Sequence, residues 1–169
     1  RTLLNEPVVF YRTTEGRAVA LEDRCCHRAA PLHLGRKEGD CVRCMYHGLK
    51  FDPTGACVEI PGQTTVPPKT CVRSYPVVEK HRLVWIWMAA AAPTEQQDIY
   101  LIENYDNPSW HITQGDSLLC NCHYLWLVDN LLDPSHVAWV HRSTFAASGT
   151  EDTPLQVQSD EHGVICSRW

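Results

Sequence analysis

The sequence predicts an α+β chain, and three observations carry that prediction. Short apolar runs separated by turn chemistry extend to about residue 88, a small-residue stretch interrupts them, and an apolar segment near Leu118–Leu132 follows with helical character from about Tyr124. With 169 residues, 44% hydrophobic and 21% charged, the chain can bury one core or one and a half. Fifteen basic against twenty acidic residues give a net charge of -5, and no basic run suggests nucleic acid. No apolar stretch approaches the ~18 residues of a membrane span. The nine cysteines, without a signal-like amino terminus, predict a reducing cytoplasm. There Cys41, Cys57, Cys71, Cys120, Cys122 and Cys166 are expected to be free thiols. The chain opens without Met and stops in an apparent strand at Ile165-Cys166-Ser167, which reads as a fragment lacking both ends.

The elements follow from local chemistry. Val8–Tyr11 and Ala18–Leu21 flank a Thr14-Glu15-Gly16 turn and read as a hairpin. Asp52-Pro53-Thr54-Gly55 reads as a second turn between Leu49–Phe51 and Cys57–Ile60, with Pro at the first central position. Val77–Lys80 and Leu83–Trp87 form a third hairpin around His81-Arg82, placing Trp85 and Trp87 on one strand face. Strands at this spacing predict a small antiparallel sandwich or barrel over residues 1–88. His33 and His81 read as surface or loop-packing residues. Residues 89–94, Ala-Ala-Ala-Ala-Pro-Thr, read as a linker, and residues 95–169 as a second region. Its Leu118–Leu132 stretch is expected to open as a strand, continue as a helix and turn its apolar face to a core.

Two motifs carry chemistry. Cys25-Cys26-His27 and Cys44-Met45-Tyr46-His47 are C-x-H and C-x-x-H separated by 16 residues. Two thiolates and two imidazoles on paired loops are the ligand set of a Rieske [2Fe-2S] cluster, whose two histidines replace cysteines on one iron and raise its potential. The expected ligands are Cys25, His27, Cys44 and His47, with Cys26 a loop residue. Zinc held through Cys41-Val42-Arg43-Cys44 is the competing reading. The second motif, Asp133-Pro134-Ser135-His136 with His141, is D-x-x-H-x₄-H, and it invites a mononuclear iron. On a regular helix the two imidazoles would lie about 140° apart. They converge only if the helix breaks, which an Asp133 cap and Pro134 at the first helical position would provide. A plain cap with surface histidines is the alternative.

The runs Arg24–Leu32 and Cys44–Asp52 resemble the two cluster loops of Rieske non-haem iron oxygenases. Ala30 and Tyr46 stand where high-potential respiratory relatives carry an extra loop disulfide. Asp129–His141 resembles the iron-binding stretch of the oxygenase α subunits. The resemblance implies an antiparallel β Rieske domain (1–88), the linker (89–94) and the start of an α+β, helix-grip-like catalytic domain (95–169). It implies mononuclear Fe(II) on His136 and His141, Asp133 as the acid joining this iron's histidine to His47 or His27 of a neighbouring subunit, and Asn130 beside them. A head-to-tail homotrimer is implied as well. The family's third iron ligand is an Asp well downstream; Asp152, Asp160 and Glu161 lie too near the histidines to match it.

The wording is similar to vanillate O-demethylases, dicamba monooxygenases and toluenesulfonate methyl-monooxygenases. That implies O₂-dependent O-demethylation or methyl hydroxylation of an aromatic compound. Electrons would come from NAD(P)H through a reductase of the flavin and ferredoxin-type [2Fe-2S] kind. A ring cis-dihydroxylating dioxygenase and a Rieske ferredoxin-type electron carrier are the alternative functions.

Overall fold

The computed structural model describes residues 1–91, 93, 99–113, 115–146, 149–161 and 163–168. Two compact units divide it, Arg1–Ile112 and Thr113–Trp169. The linker read over 89–94 lies partly outside the described residues.

The first unit contains two four-stranded antiparallel sheets and a hairpin. Strands β1 (Thr2–Leu3), β2 (Glu6–Arg12) and β3 (Ala18–Glu22) pair in sequence. β4 (Arg36–Glu38), β5 (Cys41–Arg43), β6 (Lys50–Phe51) and β7 (Cys57–Glu59) form the second sheet, and β8 (Ser74–Tyr75) returns to β3. β9 (Val77–Lys80) and β10 (Leu83–Ile86) close the hairpin. Its turn residues His81 and Arg82 both take left-handed φ, 54° and 57°, as a two-residue turn matched to strand twist requires.

The period of two along β2 and β3 explains how these strands are buried on both faces. Val9, Val19 and Leu21 point into one core with Leu32, Val42, Phe51 and Val72. Val8 and Ala20 point the other way to Tyr75, where Phe10, Val77, Ile86 and Met88 cover them. Phe51, Leu21, Leu32 and Val8 are the largest fully buried side chains, and each such burial contributes about 1.5–3 kcal/mol. The first core also contains Cys25 and Cys44, so both sulfurs are rooted in the best-packed part of the unit.

Arg73 fixes the strand exit. Its guanidinium pairs with Glu6 at 3.1 Å and donates to the Met88 and Ala89 carbonyls at 2.8 and 3.2 Å, while the Tyr75 hydroxyl donates to Glu6 at 2.6 Å.

In the second unit, α1 (Tyr124–Leu132) begins at His123, whose Nδ1 accepts from the Leu125 N–H. No strand precedes it: among the described residues 118–122 have no ladder partner, so the expected opening strand does not form. The expected burial also fails within this chain, since Trp126, Leu131 and Leu132 are each 72% exposed. Every residue of α1 is exposed. One 3₁₀ turn (Pro134–His136) leads into α2 (Val137–Val140), and β11 (Gln156–Ser159) pairs with β12 (Val164–Ser167). No described helix is long and apolar enough to cross a membrane.

Candidate metal centres

The two loops that carry the C-x-H and C-x-x-H motifs are built alike. In the first, the Cys25 N–H donates to the Ala30 carbonyl and the Ala29 N–H donates back to the Cys25 carbonyl, both at 2.9 Å. In the second, the Cys44 N–H donates to Leu49 at 2.8 Å and the Gly48 N–H to Cys44 at 3.2 Å. The residue four after each cysteine turns left-handed, Ala29 at φ 54° and Gly48 at φ 76°. This repeated backbone pattern holds both cysteines inward and both histidines outward. Cys25 and Cys44 are 4% and 3% exposed, whereas His27 and His47 are exposed with ring centroids 4.5 Å apart, edge to face.

Burial pushes the Cys25 thiol up to about 11, and the nearby Cys44 adds to the rise against the lowering effect of the His27 backbone N–H. A thiol buried in this way has no solvent to stabilise its thiolate, so a bound metal cation is the group that fits it. Among the described residues no three His, Cys, Asp or Glu side chains converge on one metal position. In a diiron cluster each iron takes two protein ligands and the bridging sulfides supply the rest.

The zinc reading loses its geometry here. Cys41 lies in β5 and alternates with Val42 and Cys44, so Cys41 and Cys44 fall on opposite faces of the strand. Cys26 is exposed, as a loop residue, and no disulfide joins any of the nine cysteines.

In the second unit the helix breaks at the expected place. Asp133 ends α1 and caps the next turn, its Oδ1 accepting from the Ser135 N–H at 2.8 Å with Pro134 at the first position. His136 closes that turn and His141 follows α2, so neither sits in a continuous helix and the rings approach to 5.3 Å. The His136 Nδ1 contacts the Asp133 carbonyl oxygen, which can only accept. Nδ1 therefore donates, leaving the Nε2 lone pair for a metal. Asp133 Oδ2 lies 3.9 Å from the Nδ1 of that ring, close enough to pair with it when the imidazole is protonated. The Ser135 N–H, with His136 and Arg168 beyond it, holds the Asp133 carboxyl below its usual range. Asn130 lies one turn before, and its carbonyl accepts from the Asp133 N–H at 3.4 Å.

Several residues around the first centre escaped the sequence reading. Asp23 is buried, and the His33 N–H donates to its Oδ1 at 2.8 Å while the His33 ring contacts Oδ2. Gly35 approaches the second loop so closely that a Cβ there would lie 2.1 Å from the Arg43 carbonyl oxygen. Its φ of -80° suits any residue, so the constraint is purely steric. Gly35→Ala is therefore expected to cost about 1–3 kcal/mol and to lower cluster content, because the displaced carbonyl immediately precedes Cys44. Thermal melts and sulfide analysis check this; an unchanged melt and full sulfide would refute it. The short strand Arg36-Lys37-Glu38, charged at every position with both signs present, was the available signal for the ionic cluster there. Glu38 is held at about 2 by the Arg43 and Arg36 guanidiniums.

Paired loops with two buried sulfurs and two outward imidazoles, set on antiparallel sheets, are the build of a Rieske-type iron–sulfur domain. The family model of the Rieske [2Fe-2S] domain matches residues 1–76, and that of the vanillate O-demethylase oxygenase C-terminal domain matches residues 120–169. The chain belongs to the Rieske non-haem iron oxygenase α subunits, in the group of the vanillate and dicamba demethylases and toluenesulfonate monooxygenase. It is 54% identical over its whole length to 49% of the toluene-4-sulfonate monooxygenase system iron-sulfur subunit of Comamonas testosteroni. It is also 36% identical, again over its whole length, to 47% of the vanillate O-demethylase oxygenase subunit of a Pseudomonas species. The crystal structure of dicamba monooxygenase bound to dicamba superposes with a TM-score of 0.87 at 34% identity, covering 98% of this chain and 50% of that one. The chain thus spans about half the length of the relatives it matches.

Proposed function

We propose that the chain serves in the oxygenase component of a Rieske monooxygenase that hydroxylates a methyl or methoxy carbon on an aromatic compound. The observation that carries this reading is the pair of matched loops followed by a histidine pair at a broken helix, in one chain. Cys25 and Cys44 would hold one iron of the [2Fe-2S] cluster and His27 and His47 the other, with His136 and His141 contributing two ligands to a mononuclear Fe(II). When bound, these groups supply single-electron transfer and O₂ activation.

The chain's own residues supply position and proton handling. The buried cysteines keep the sulfur side dry, and the exposed His27 and His47 rings place the redox-active side at the surface, where electrons and protons can pass. Asp133, ionised and with an exposed side chain, is suited to accept a hydrogen bond from an imidazole of a neighbouring subunit in a head-to-tail trimer. The overall change balances as an arylmethyl group plus O₂, two electrons and two protons giving the benzylic alcohol and water. A methoxy substrate gives a hemiacetal that releases formaldehyde. The electrons would come from NAD(P)H through a reductase. The 54% identity to the toluene-4-sulfonate relative favours a methylated, anionic arene over a methoxy one.

Metal and product analysis of the full-length protein tests the proposal. About three irons per two sulfides are expected, with benzylic alcohol from 4-toluenesulfonate and a reductase. Two irons per two sulfides with no turnover would leave an electron carrier, and a cis-diol would make the enzyme a ring dioxygenase.

A further inference from the structure

An ionic cluster backs the second loop, on the face of β5 away from Cys44. Arg43 is its centre, with a side chain only 12% exposed. Its Nε and Nη2 grip both oxygens of Glu38 at 2.8 Å each, and Nη2 also reaches Glu59 at 3.0 Å. Arg36 and Lys50 complete the shell around Glu38 at 2.7 and 3.5 Å. The remaining arm of the guanidinium, Nη1, donates to the Gly48 carbonyl at 2.7 Å.

That last bond has a particular location. Gly48 directly follows His47, and Arg43 directly precedes Cys44, so one residue holds the loop at both ends. Between them Met45, Tyr46 and His47 are exposed and gain little from packing. Gly48 cannot gain a side chain to hold itself, because a Cβ there would lie 2.8 Å from Pro61 Cγ. The planar fork of arginine can engage two carboxylates and a carbonyl at once, whereas the single ammonium of lysine cannot. The carboxylates offset the cost of burying the charge, and the charge is thereby available to hold backbone.

We infer that Arg43 is a positioning residue for the [2Fe-2S] centre, fixing the orientation of His47 through the Gly48 carbonyl. The inference rests on Cys25, His27, Cys44 and His47 being the cluster ligands. With the cluster bound, an imidazole released from this restraint would be free to change its orientation, which would alter the electronic signature of the reduced cluster without removing a ligand.

The test uses the full-length protein as wild type, Arg43→Lys, Glu38→Gln and Arg12→Lys. The last is a matched control: Arg12 makes a similar two-bond fork to Glu79 at 2.9 and 2.6 Å, between β2 and β9 and away from the loops. Each protein is reduced with dithionite, and its EPR g values, midpoint potential, sulfide content and thermal melt are recorded. Arg43→Lys and Glu38→Gln are expected to shift and broaden the g values and move the potential. Arg12→Lys should change the melt alone. Reduced sulfide loading in Arg43→Lys with native far-UV circular dichroism also upholds the inference. Spectra superimposable on wild type in both loop variants overturn it, as does an equal shift in Arg12→Lys. Should Arg43→Lys not fold, Glu38→Gln alone decides by the same two outcomes. A wild type devoid of sulfide fails the ligand reading itself, and the inference falls with it.

Discussion

Full-length Cys44→Ser protein is expected to fold and to contain almost no inorganic sulfide, against about two per chain in the wild type, with no EPR signal after reduction. Serine is close to cysteine in size, and the two hydrogen bonds that shape the loop, Cys44 to Leu49 and Gly48 to Cys44, are made by backbone atoms that the substitution leaves in place. Cys44 shares its core with Phe51 and Leu21, but serine keeps nearly the same volume there, so the sheets stay packed and far-UV circular dichroism should stay native. What is lost is the soft thiolate, and a buried hydroxyl does not replace it on iron. Cys26→Ser and Cys41→Ser frame the result. Cys26 is exposed and Cys41 sits on the opposite face of β5, so both variants should keep full sulfide and the wild-type spectrum. Sulfide lost with Cys26 would shift the ligand register by one residue. A stable zinc content that depends on Cys41 would restore the alternative that the strand geometry disfavours.

The sequence was most legible where chemistry is local. The hairpins follow from turn residues and a period of two, and the ligand loops from fixed cysteine and histidine spacing, because a few neighbouring residues determine each. The break at Asp133-Pro134 was legible for the same reason: a capping side chain and a missing amide proton act within one turn. What could not be read depends on partners far along the chain. The Leu118–Leu132 stretch is apolar enough to suggest a strand and a buried face, yet a strand needs a ladder partner and burial needs an opposing surface, and the described residues of the second unit supply neither. The tie from Arg43 to Gly48 and the contact between Gly35 and the Arg43 carbonyl were hidden for a related reason. Each is a spatial meeting that no spacing encodes. The cysteine loops resemble each other only weakly in sequence, as C-x-H against C-x-x-H. Their shared left-handed residue and matching backbone hydrogen bonds emerge only in three dimensions.

Asp133→Asn should separate electron storage from turnover. The expected protein carries a full Rieske spectrum and an unchanged sulfide content, while its rate of substrate hydroxylation falls by about two orders of magnitude or more, the scale of losing a positioned proton-handling group. Asparagine is as good a cap as aspartate, so its side-chain oxygen can still accept from the Ser135 N–H at 2.8 Å and the break before His136 survives. The His136 ring also keeps its contact with the backbone carbonyl of residue 133, which no side-chain change removes. What disappears is the negative charge on the carboxylate, whose second oxygen lies 3.9 Å from His136 Nδ1 on an exposed side chain that can meet another imidazole. The amide that takes its place donates where the carboxylate accepted, and it cannot pass a proton. Single-turnover experiments sharpen the distinction: the pre-reduced variant should retain its cluster electrons after substrate and O₂ are added, whereas wild type loses them within one turnover. Cluster oxidation at the wild-type rate, with normal product, would show that Asp133 only caps the turn, and the route between the two centres would have to run through other residues.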